Sequence, residues 1–485
     1  MAGYVRQAVV IVHGMGEQRP LDTLNGFISA ALAPDGTGRR AFYSRPESVT
    51  GSYESRRFLA APAVDEDGRE SRAHTEFFEY HWAHLMQGNR IDDLWPTFRR
   101  MLLQPWRRVP AGLRLLWLVS WVLVGVGVWA FGWGPLSDLT LTGNAVETVV
   151  RTLLGAGLTA ALVVYLLSRV LPRWLTTSFV DVVRYLDTSP RSYEARREIR
   201  KGFVDLLRAL HDSKLGNRPR YQRIVVVAHS LGAYIAYDGI SYLWGQLNHL
   251  HDGGGPEVAD GLRELELAAS ALPDLPETAT DQQVSDFQAA QRRLWLGLRA
   301  QGNPWRVTDL VTLGTPMYFA DRLYTKNEKQ FRQRVDRREL PTCPPHNEEQ
   351  DRNNLNRTRR FYSWPRDIWT TGQGGRTRVT RRVIYEGAPF AVVRWTNMWF
   401  PAAAGIFGDW FGGGLAPLFG NGIRDIPISG NRRPGRRPHE WFRSRLTPAY
   451  AHALYFHFPD DRTSESVTKA LRDAMALDST SWLDA

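Results

Sequence analysis

Compact apolar runs along the chain predict the strands of a protein core. Residues 8–12 and 224–228 are apolar and rich in β-branched side chains, and each run ends at a histidine followed by a small residue. Short runs of this kind are typical of buried strands. Residues 76–82 and 391–397 have the composition of two further strands, and residues 307–316 have that of a strand followed by a tight turn. The pattern therefore predicts a core that contains a β-sheet.

Helical spacing of apolar positions separates some of these runs. Residues 22–32 predict a short helix, and residues 177–213 predict a longer amphipathic segment. In the longer segment charged residues fall on one face, as in a helix that packs against a core, and the other face carries Phe203, Leu206, Leu207 and Leu210. We expect this helix to pack just ahead of the strand at residues 224–228.

Two long uncharged runs predict a transmembrane hairpin. Residues 115–134 carry no charge, and residues 152–168 form a second apolar run with small residues suited to close helix packing. A helix of about 20 residues spans a hydrocarbon layer of ~30 Å. The alternative is a pair of buried core helices or a large apolar lid.

Arginines at the ends of the hairpin predict its orientation. Arg107, Arg108 and Arg114 precede the first run, and Arg169 and Arg173 follow the second. By the positive-inside rule both ends face the cytoplasm, with only the connecting loop outside. Tryptophans near the expected membrane interfaces support this orientation: Trp106, Trp129, Trp133 and Trp174.

Polar segments predict loops and insertions. Residues 35–72 are rich in Gly, Pro and Arg and predict a loop, and residues 251–257 predict a flexible break. Residues 258–300 predict two charged helices, interpreted as an insertion and a possible cap over an active site. Residues 326–382 are basic and polar, which fits a solvated surface, an anionic-lipid contact or a nucleic-acid patch; no nucleic-acid motif accompanies the charge.

Charge and cysteine content narrow the possible partners and compartments. A formal net charge of +11 and an isoelectric point near 9.8 imply attraction to an anionic partner, either lipid headgroups or nucleic acid. The single cysteine, Cys343, excludes an internal disulfide framework and fits a reducing compartment. His81 and His84 lack the carboxylate or cysteine spacing of a metal site and are interpreted as structural. No secretory signal is expected at the N-terminus.

A candidate nucleophile lies between the strand at residues 224–228 and the helix-forming residues that follow. Ser230 has the small residues Ala228 and Gly232 two positions to either side. Small residues at these positions let a strand and a helix pass closely around a strained serine. The N–H of Leu231, at the start of the helix, would point toward an oxyanion. An ordinary strand-to-helix turn is the alternative.

This unit resembles the α/β-hydrolase family, particularly its lipase-like serine esterases, whose turn reads G-x-S-x-G; Ala228 replaces the first glycine. The resemblance implies the α/β-hydrolase fold, a mostly parallel sheet flanked by helices. The strand at residues 8–12 leads into an H-G-x-G loop, which implies a second oxyanion N–H from Met15 and substrate contacts at Gly14, Gly16 and His229. The Gly-Thr-Pro sequence at residues 314–316 adds to the resemblance.

The same resemblance implies an acid and a base in the order Ser, Asp, His. Asp409 fits the position of the acid, with Asp425 and Asp321 as competitors. His452, followed by Tyr455, fits the position of the base. His457 and His439 are the alternatives for the base. No metal or organic cofactor is required for this chemistry.

The sequence thus predicts a hydrolase core at residues 1–105 and 175–485, interrupted by a hairpin at residues 106–174 and carrying insertions near 250–303 and 326–382. The expected protein is a membrane-anchored lipase, phospholipase or acyl esterase with a cytoplasmic active site at a bacterial-type inner membrane. Its expected partners are a lipid or acyl-ester substrate, a membrane of anionic lipid and a second copy of itself through the hairpin, whereas nucleic acid is not an expected partner. An esterase or thioesterase acting on soluble substrates, and a non-catalytic membrane scaffold, are the alternatives.

Overall fold

The computed structural model describes most of the sheet and its helices. The described residues are 6–14, 22–31, 42–46, 49, 56–60, 74–86, 103, 105–106, 109, 114, 117–122, 125, 182, 184–186, 190–247, 256–323, 325, 327–347, 362–372, 375–402, 408–428, 451–452, 455 and 462–477. The predicted strands and helices discussed below are compared with these ranges alone.

The described core is an α/β structure built on an eight-stranded sheet with the order β12-β11-β8-β7-β1-β4-β3-β2. Six strands from β12 to β4 are parallel, and β3 and β2 extend the sheet antiparallel. The strands of this sheet are β1 (Arg6–Val12), β2 (Phe42–Pro46), β3 (Arg56–Ala60), β4 (His74–Tyr80), β7 (Arg223–His229), β8 (Val307–Leu313), β11 (Arg394–Trp399) and β12 (Arg424–Pro427). Two small antiparallel pairs lie apart from it: β5 (Lys214–Leu215) with β6 (Arg218–Pro219), and β9 (Ser363–Gly372) with β10 (Gly375–Ile384).

Alternation along the central strands divides the core between the two faces of the sheet. Val10 and Val226 pack into one cluster of buried side chains, and their neighbours Val9 and Val225 pack into another. Successive side chains of a strand point to opposite faces, so runs that are apolar at every position belong to strands covered on both sides. The apolar runs at residues 8–12 and 224–228 therefore occupy the centre of the sheet.

Helices cover both faces. In chain order they are α1 (Asp22–Ala31), α2 (Pro190–Asp212), α3 (Gly232–Gln246), α4 (Pro256–Ser270), α5 (Asp281–Ala300), α6 (Ala320–Leu323), α7 (Glu328–Asp336), α8 (Ala416–Phe419) and α9 (Arg462–Met475). Apolar residues of α2, α3, α4 and α5 join the first cluster, whereas those of α1 and α9 join the second. The prediction of a mostly parallel sheet flanked by helices is confirmed.

The predicted loop at residues 35–72 is wrong in part, because β2 and β3 lie within it. The two strands pair antiparallel, and Phe58, Leu59 and Ala60 of β3 pair with β4. β2 is the edge strand of the sheet, because it pairs only with β3. Arginines and turn residues are tolerated in an edge strand. The segment therefore lacks the apolar pattern that predicts the central strands.

The predicted helix pair at residues 258–300 is present as α4 and α5, but its contacts do not make it a cap. Gln291 of α5 donates hydrogen bonds to the carbonyls of Phe390 and Val393, just ahead of β11, and Gln288 donates to Trp395 within it. These contacts lie at the amino end of a parallel strand. The pair therefore packs beside the amino ends of the parallel strands, whereas Ser230 follows the carboxyl end of β7.

The basic segment at residues 326–382 contains regular structure. It includes α7 and the β9–β10 hairpin, in which Trp369 is exposed and Asp367 pairs with Arg378. The predicted transmembrane hairpin lies mostly outside the described residues. Among the helices in the ranges given above, none is both long enough and apolar enough to cross a membrane.

Candidate active site

Four central strands of the sheet end beside one another and bring together the residues that follow them. Gly14 lies two residues past β1, Ser230 follows β7, Gly314 follows β8 and Phe400 follows β11. The strands are parallel, so these residues share the carboxyl edge of the sheet. The chain runs from β1 to β4 on one side and later places β7 on the other side of β1. Ligands of parallel sheets bind in the crevice at such a switch point.

Ser230 occupies a strained turn between β7 and α3. Its φ of 54° lies in the left-handed region, which is costly for a residue with a side chain. The N–H of Ser230 donates to the carbonyl of Leu313 at 2.9 Å, which ties the turn to β8. A strained conformation is retained when its surroundings overdetermine it, and here the sheet supplies that constraint.

Glycines let the elements around Ser230 approach one another. A Cβ on Gly232 would stand 2.4 Å from the carbonyl oxygen of Val12, so α3 begins against the end of β1. A Cβ on Gly14 would stand 2.9 Å from the Cβ of Ser230. Gly14, predicted to line the site, therefore lies directly beside the serine.

Ser230, His452 and Asp409 form a continuous hydrogen-bonded row. His452 Nε2 lies 3.0 Å from Ser230 Oγ, and Nδ1 lies 3.0 and 3.1 Å from the two carboxylate oxygens of Asp409. If Nδ1–H donates to the carboxylate, Nε2 is left to accept the serine hydroxyl. This geometry allows the imidazole to take the hydroxyl proton while the carboxylate stabilises the resulting imidazolium.

Asp409 is fully buried and is fixed by groups other than the histidine. The N–H of Phe411 donates to Oδ1 at 2.8 Å, and the hydroxyl of Tyr455 donates to Oδ2 at 2.9 Å. The same hydroxyl accepts the N–H of Phe400 at 3.0 Å, which links the carboxylate to the end of β11. Hydrogen bonds to both oxygens satisfy a buried charge and set its orientation.

Gly314 makes room for this carboxylate. Its φ is 51°, and a Cβ at this position would lie 2.4 Å from Asp409 Oδ2 and equally close to the ring of Tyr455. The Gly-Thr-Pro sequence after β8 thus has a direct steric role. A side chain at Gly314 would displace the acid.

His229, which the resemblance predicts as a substrate contact, is buried and contacts the base. Its Nε2 lies 2.9 Å from the carbonyl of His452, to which it donates, and the two rings are 4.7 Å apart. Burial, and then the neighbouring His452, hold the pKa of His229 well below its usual value. A neutral His229 therefore positions the backbone of His452.

Of the two predicted oxyanion donors, Leu231 lies within the described residues and Met15 does not. No group in the described ranges accepts the N–H of Leu231, which stands at the start of α3 beside the serine. Met15 and Gly16 lie outside the described residues. His13 donates from Nδ1 to the carbonyl of Gly14 at 2.8 Å and stacks on Trp82, which anchors the start of the glycine loop.

The competing acids have other partners. Asp425, in β12, accepts hydrogen bonds from the N–H groups of Leu415 and Ala416 and from the side chain of Asn397, so it ties β12 to the start of α8 and to β11. Asp321 lies on α6, with Arg322 3.7 Å away. Asp409 is the competitor that contacts His452. The alternative bases His457 and His439 lie outside the described residues.

Tyr455 and Phe400 support the acid without a strong signal in the sequence. The signal for Tyr455 is its spacing after His452, and the backbone N–H of Phe400 has no side-chain signature. The spacing places the tyrosine hydroxyl under the carboxylate. A His-x-x-Tyr pattern after the last strand is therefore the available indicator of this support.

Ser230 has no solvent-exposed surface, and His452 is nearly buried. A substrate reaches the hydroxyl only after neighbouring groups move. Within the described ranges, no group of three or more His, Cys, Asp or Glu side chains is arranged to hold a metal ion. Cys343 is buried, and burial raises the pKa of its thiol, which suits a core residue.

Comparison of the chain with models of protein families, with curated proteins and with solved structures found no match in any of the three.

Proposed function

We propose that the chain is a serine hydrolase of the α/β-hydrolase type that cleaves carboxylic esters of lipids through an acyl-enzyme. The observation that carries the proposal is the contact of 3.0 Å between Ser230 Oγ and His452 Nε2, continued from Nδ1 to Asp409. Nucleophile, base and orienting acid in this order are the arrangement that activates a serine.

The proposed reaction has two halves. Ser230 Oγ attacks the ester carbonyl as His452 takes its proton, and the carbonyl electron pair moves onto the oxygen. Leu231 N–H, with a donor from the loop after β1, stabilises this oxyanion; one such donor is typically worth about 3 kcal/mol. His452 returns the proton to the departing alcohol. Water then attacks the acyl-serine by the same route and releases the carboxylic acid.

A lipid substrate is supported by two features of the sequence. The uncharged runs at residues 115–134 and 152–168 are long enough to hold the protein at a bilayer. The net charge of +11 favours a surface of anionic headgroups. A hydrolase held in that plane searches for substrate in two dimensions.

Labelling with a fluorophosphonate probe tests the activated serine. The detergent-solubilised protein should label, and Ser230→Ala should not label, because the phosphorus of the probe bonds to the Oγ that this variant lacks. Ser241→Ala is the matched control, because that hydroxyl bonds the carbonyl of Tyr237 within α3. Asp409→Asn should slow labelling by ~10²-fold or more, whereas Asp321→Asn, at the competing acid that lies beside Arg322, should leave a folded protein that labels normally.

A second measurement tests the substrate class. Hydrolysis of a long-chain phospholipid in anionic vesicles should exceed hydrolysis of a short soluble ester, and both should vanish in Ser230→Ala. Equal rates on the soluble ester with and without vesicles would favour a soluble acyl substrate. A wild-type protein that labels neither in detergent nor in vesicles would refute the enzyme and favour a scaffold.

A further inference from the structure

A cavity rich in arginine lies at the amino edge of the sheet, opposite Ser230. It has a volume of about 510 Å³ and lies where β11 and β12 begin, between α5 and the last turn of α9. Its polar lining comes from both helices and both strands. The lining residues used below are Ser285, Arg292, Arg293, Arg394, Arg424 and Asp473.

Positive charge exceeds negative charge beside this cavity. Arg223, Arg292 and Arg394 surround the single buried carboxylate of Asp309. The Nε of Arg394 lies 2.7 Å from Asp309 Oδ1, whereas the nearest nitrogen of Arg292 is 3.8 Å from Oδ2. Three cations against one anion leave an excess of two positive charges. Arg424 adds a further cation, and its Nη2 donates to the neutral hydroxyl of Ser285 at 2.6 Å.

The acidic groups at the rim do not remove this excess. Asp473 pairs with Lys469 at 2.6 Å, and Glu264 pairs with Arg293 at 2.6 Å. Each of these carboxylates has its own cation. Asp281, at the start of α5, offsets the charge of Arg424, so the excess of two positive charges around Asp309 has no counterion among these carboxylates.

Two buried donors in the cavity wall have no hydrogen-bond acceptor. Nη1 of Arg292 and Nε of Arg424 are buried and make no hydrogen bond. The Arg292 side chain is 6% exposed, and its guanidinium lies 5.5 Å from the ring of Trp295. An unsatisfied buried donor on a charged group is costly. Burial, and then the nearby Arg394, lower the pKa of Arg292, in keeping with a charge that lacks compensation.

We propose that this cavity binds a phosphate dianion, either free or as the monoester of a small molecule or lipid headgroup. Guanidinium groups match phosphate oxygens in a bidentate geometry, and a dianion balances an excess of two charges. The cavity is larger than orthophosphate requires, which leaves room for an organic substituent. The site lies at the far edge of the sheet from Ser230 and does not depend on the proposed hydrolase.

Titration calorimetry in a phosphate-free chloride buffer tests the site in the full-length protein. The probes are orthophosphate, glycerol 3-phosphate and a water-soluble short-chain phosphatidic acid, and the tightest binder identifies the source of the phosphate. We expect one-to-one binding that weakens at least tenfold in Arg424→Gln and in Arg292→Met. Arg263→Gln, which removes an exposed arginine of α4, is the charge-matched control and should bind as the wild type does.

Arg292 belongs to the buried ion cluster, so Arg292→Met could fail to fold. Arg424 is only half-buried and supplies the decisive variant; its fold is checked by circular dichroism and thermal unfolding. Absence of binding for all three probes would overturn the proposal. Equal weakening in Arg424→Gln and Arg263→Gln would also overturn it, because it would show attraction to net charge alone.

Discussion

The hydroxyl of Tyr455 contacts both Asp409 and the residue that follows β11. The hydroxyl donates to Asp409 and accepts the N–H of Phe400, and all three groups are buried. Tyr455→Phe keeps the ring and removes both hydrogen bonds. We expect a loss of about 1–3 kcal/mol in the free energy of unfolding, measured by urea denaturation, because a buried N–H and a carboxylate oxygen lose a partner.

The same variant should label with the fluorophosphonate probe more slowly than the wild type, by about tenfold, because Asp409 gains freedom to turn away from His452. Tyr318→Phe is the control, since that hydroxyl bonds the carbonyl of Trp410 and not the carboxylate. If labelling slowed equally in Tyr455→Phe and Tyr318→Phe, the cause would be a general loosening of the loop that carries Asp409. Unchanged labelling in Tyr455→Phe would show that Phe411 and His452 alone orient the acid.

The candidate site could be predicted in different degrees from its residues. Ser230 has a local signature, because a strained turn demands small neighbours within two positions, and the structure gives it the φ of 54° that such a turn implies. Asp409 has no such signature. The sequence offers three candidate acids, and the fold brings Asp409 to His452 over a separation of 43 residues. Contacts of that range depend on how the sheet aligns, which a local pattern does not encode.

The first turn of α3 depends on an approach to β1 that only glycine allows. An alanine Cβ at position 232 would stand 2.4 Å from the carbonyl oxygen of Val12 and 2.6 Å from that of His13, both fixed backbone atoms. Overpacking of this kind typically costs 1–3 kcal/mol. Urea denaturation of Gly232→Ala should show a loss of about 3 kcal/mol, with slower probe labelling as Ser230 shifts.

Gly245, near the other end of α3, supplies the matched control. A Cβ there would meet nothing within 4 Å. Alanine favours a helix over glycine, so Gly245→Ala should be neutral or stabilise the protein by about 0.5 kcal/mol. Similar effects of the two substitutions would mean that close packing against β1 does not set the position of the helix.

The strands and helices differ in how clearly the pattern of apolar residues predicts them. β1 and β7 are covered on both faces and appear as continuous apolar runs, so both were predicted. β2 and β3 lie at the edge of the sheet, and β9 and β10 form a separate hairpin rich in arginine. Their sequences lack the continuous apolar run of a strand covered on both faces, so the apolar pattern does not reveal them. The helix pair α4 and α5 was predicted as helices, but its place at the amino edge of the sheet follows from buried glutamine contacts that helical spacing does not reveal.

Buried neutral histidines connect the stability of the whole fold to pH. His211 donates from Nδ1 to the carbonyl of Leu207 at 2.7 Å and accepts the N–H of Arg306 at Nε2, 3.1 Å away. This links the end of α2 to the residue before β8. Burial lowers the pKa of His211 to about 3. The same cause lowers the pKa of His13, beside the candidate site, to about 3.

The sign of the effect follows from the two pKa values of His211. Its folded value, about 3, lies below the unfolded value of 6.5, so only the unfolded chain gains a proton between them. The associated stability is present above pH 6.5 and is lost as the pH falls toward 3. At pH 5 the loss is about 2 kcal/mol for one such histidine. Urea denaturation should therefore show His211→Gln losing about 2 kcal/mol less than the wild type between pH 7 and pH 5, although the variant is less stable at pH 7. His84→Gln, which removes an exposed histidine, should keep the wild-type dependence; a parallel dependence in all three proteins would mean that His211 takes up its proton without unfolding.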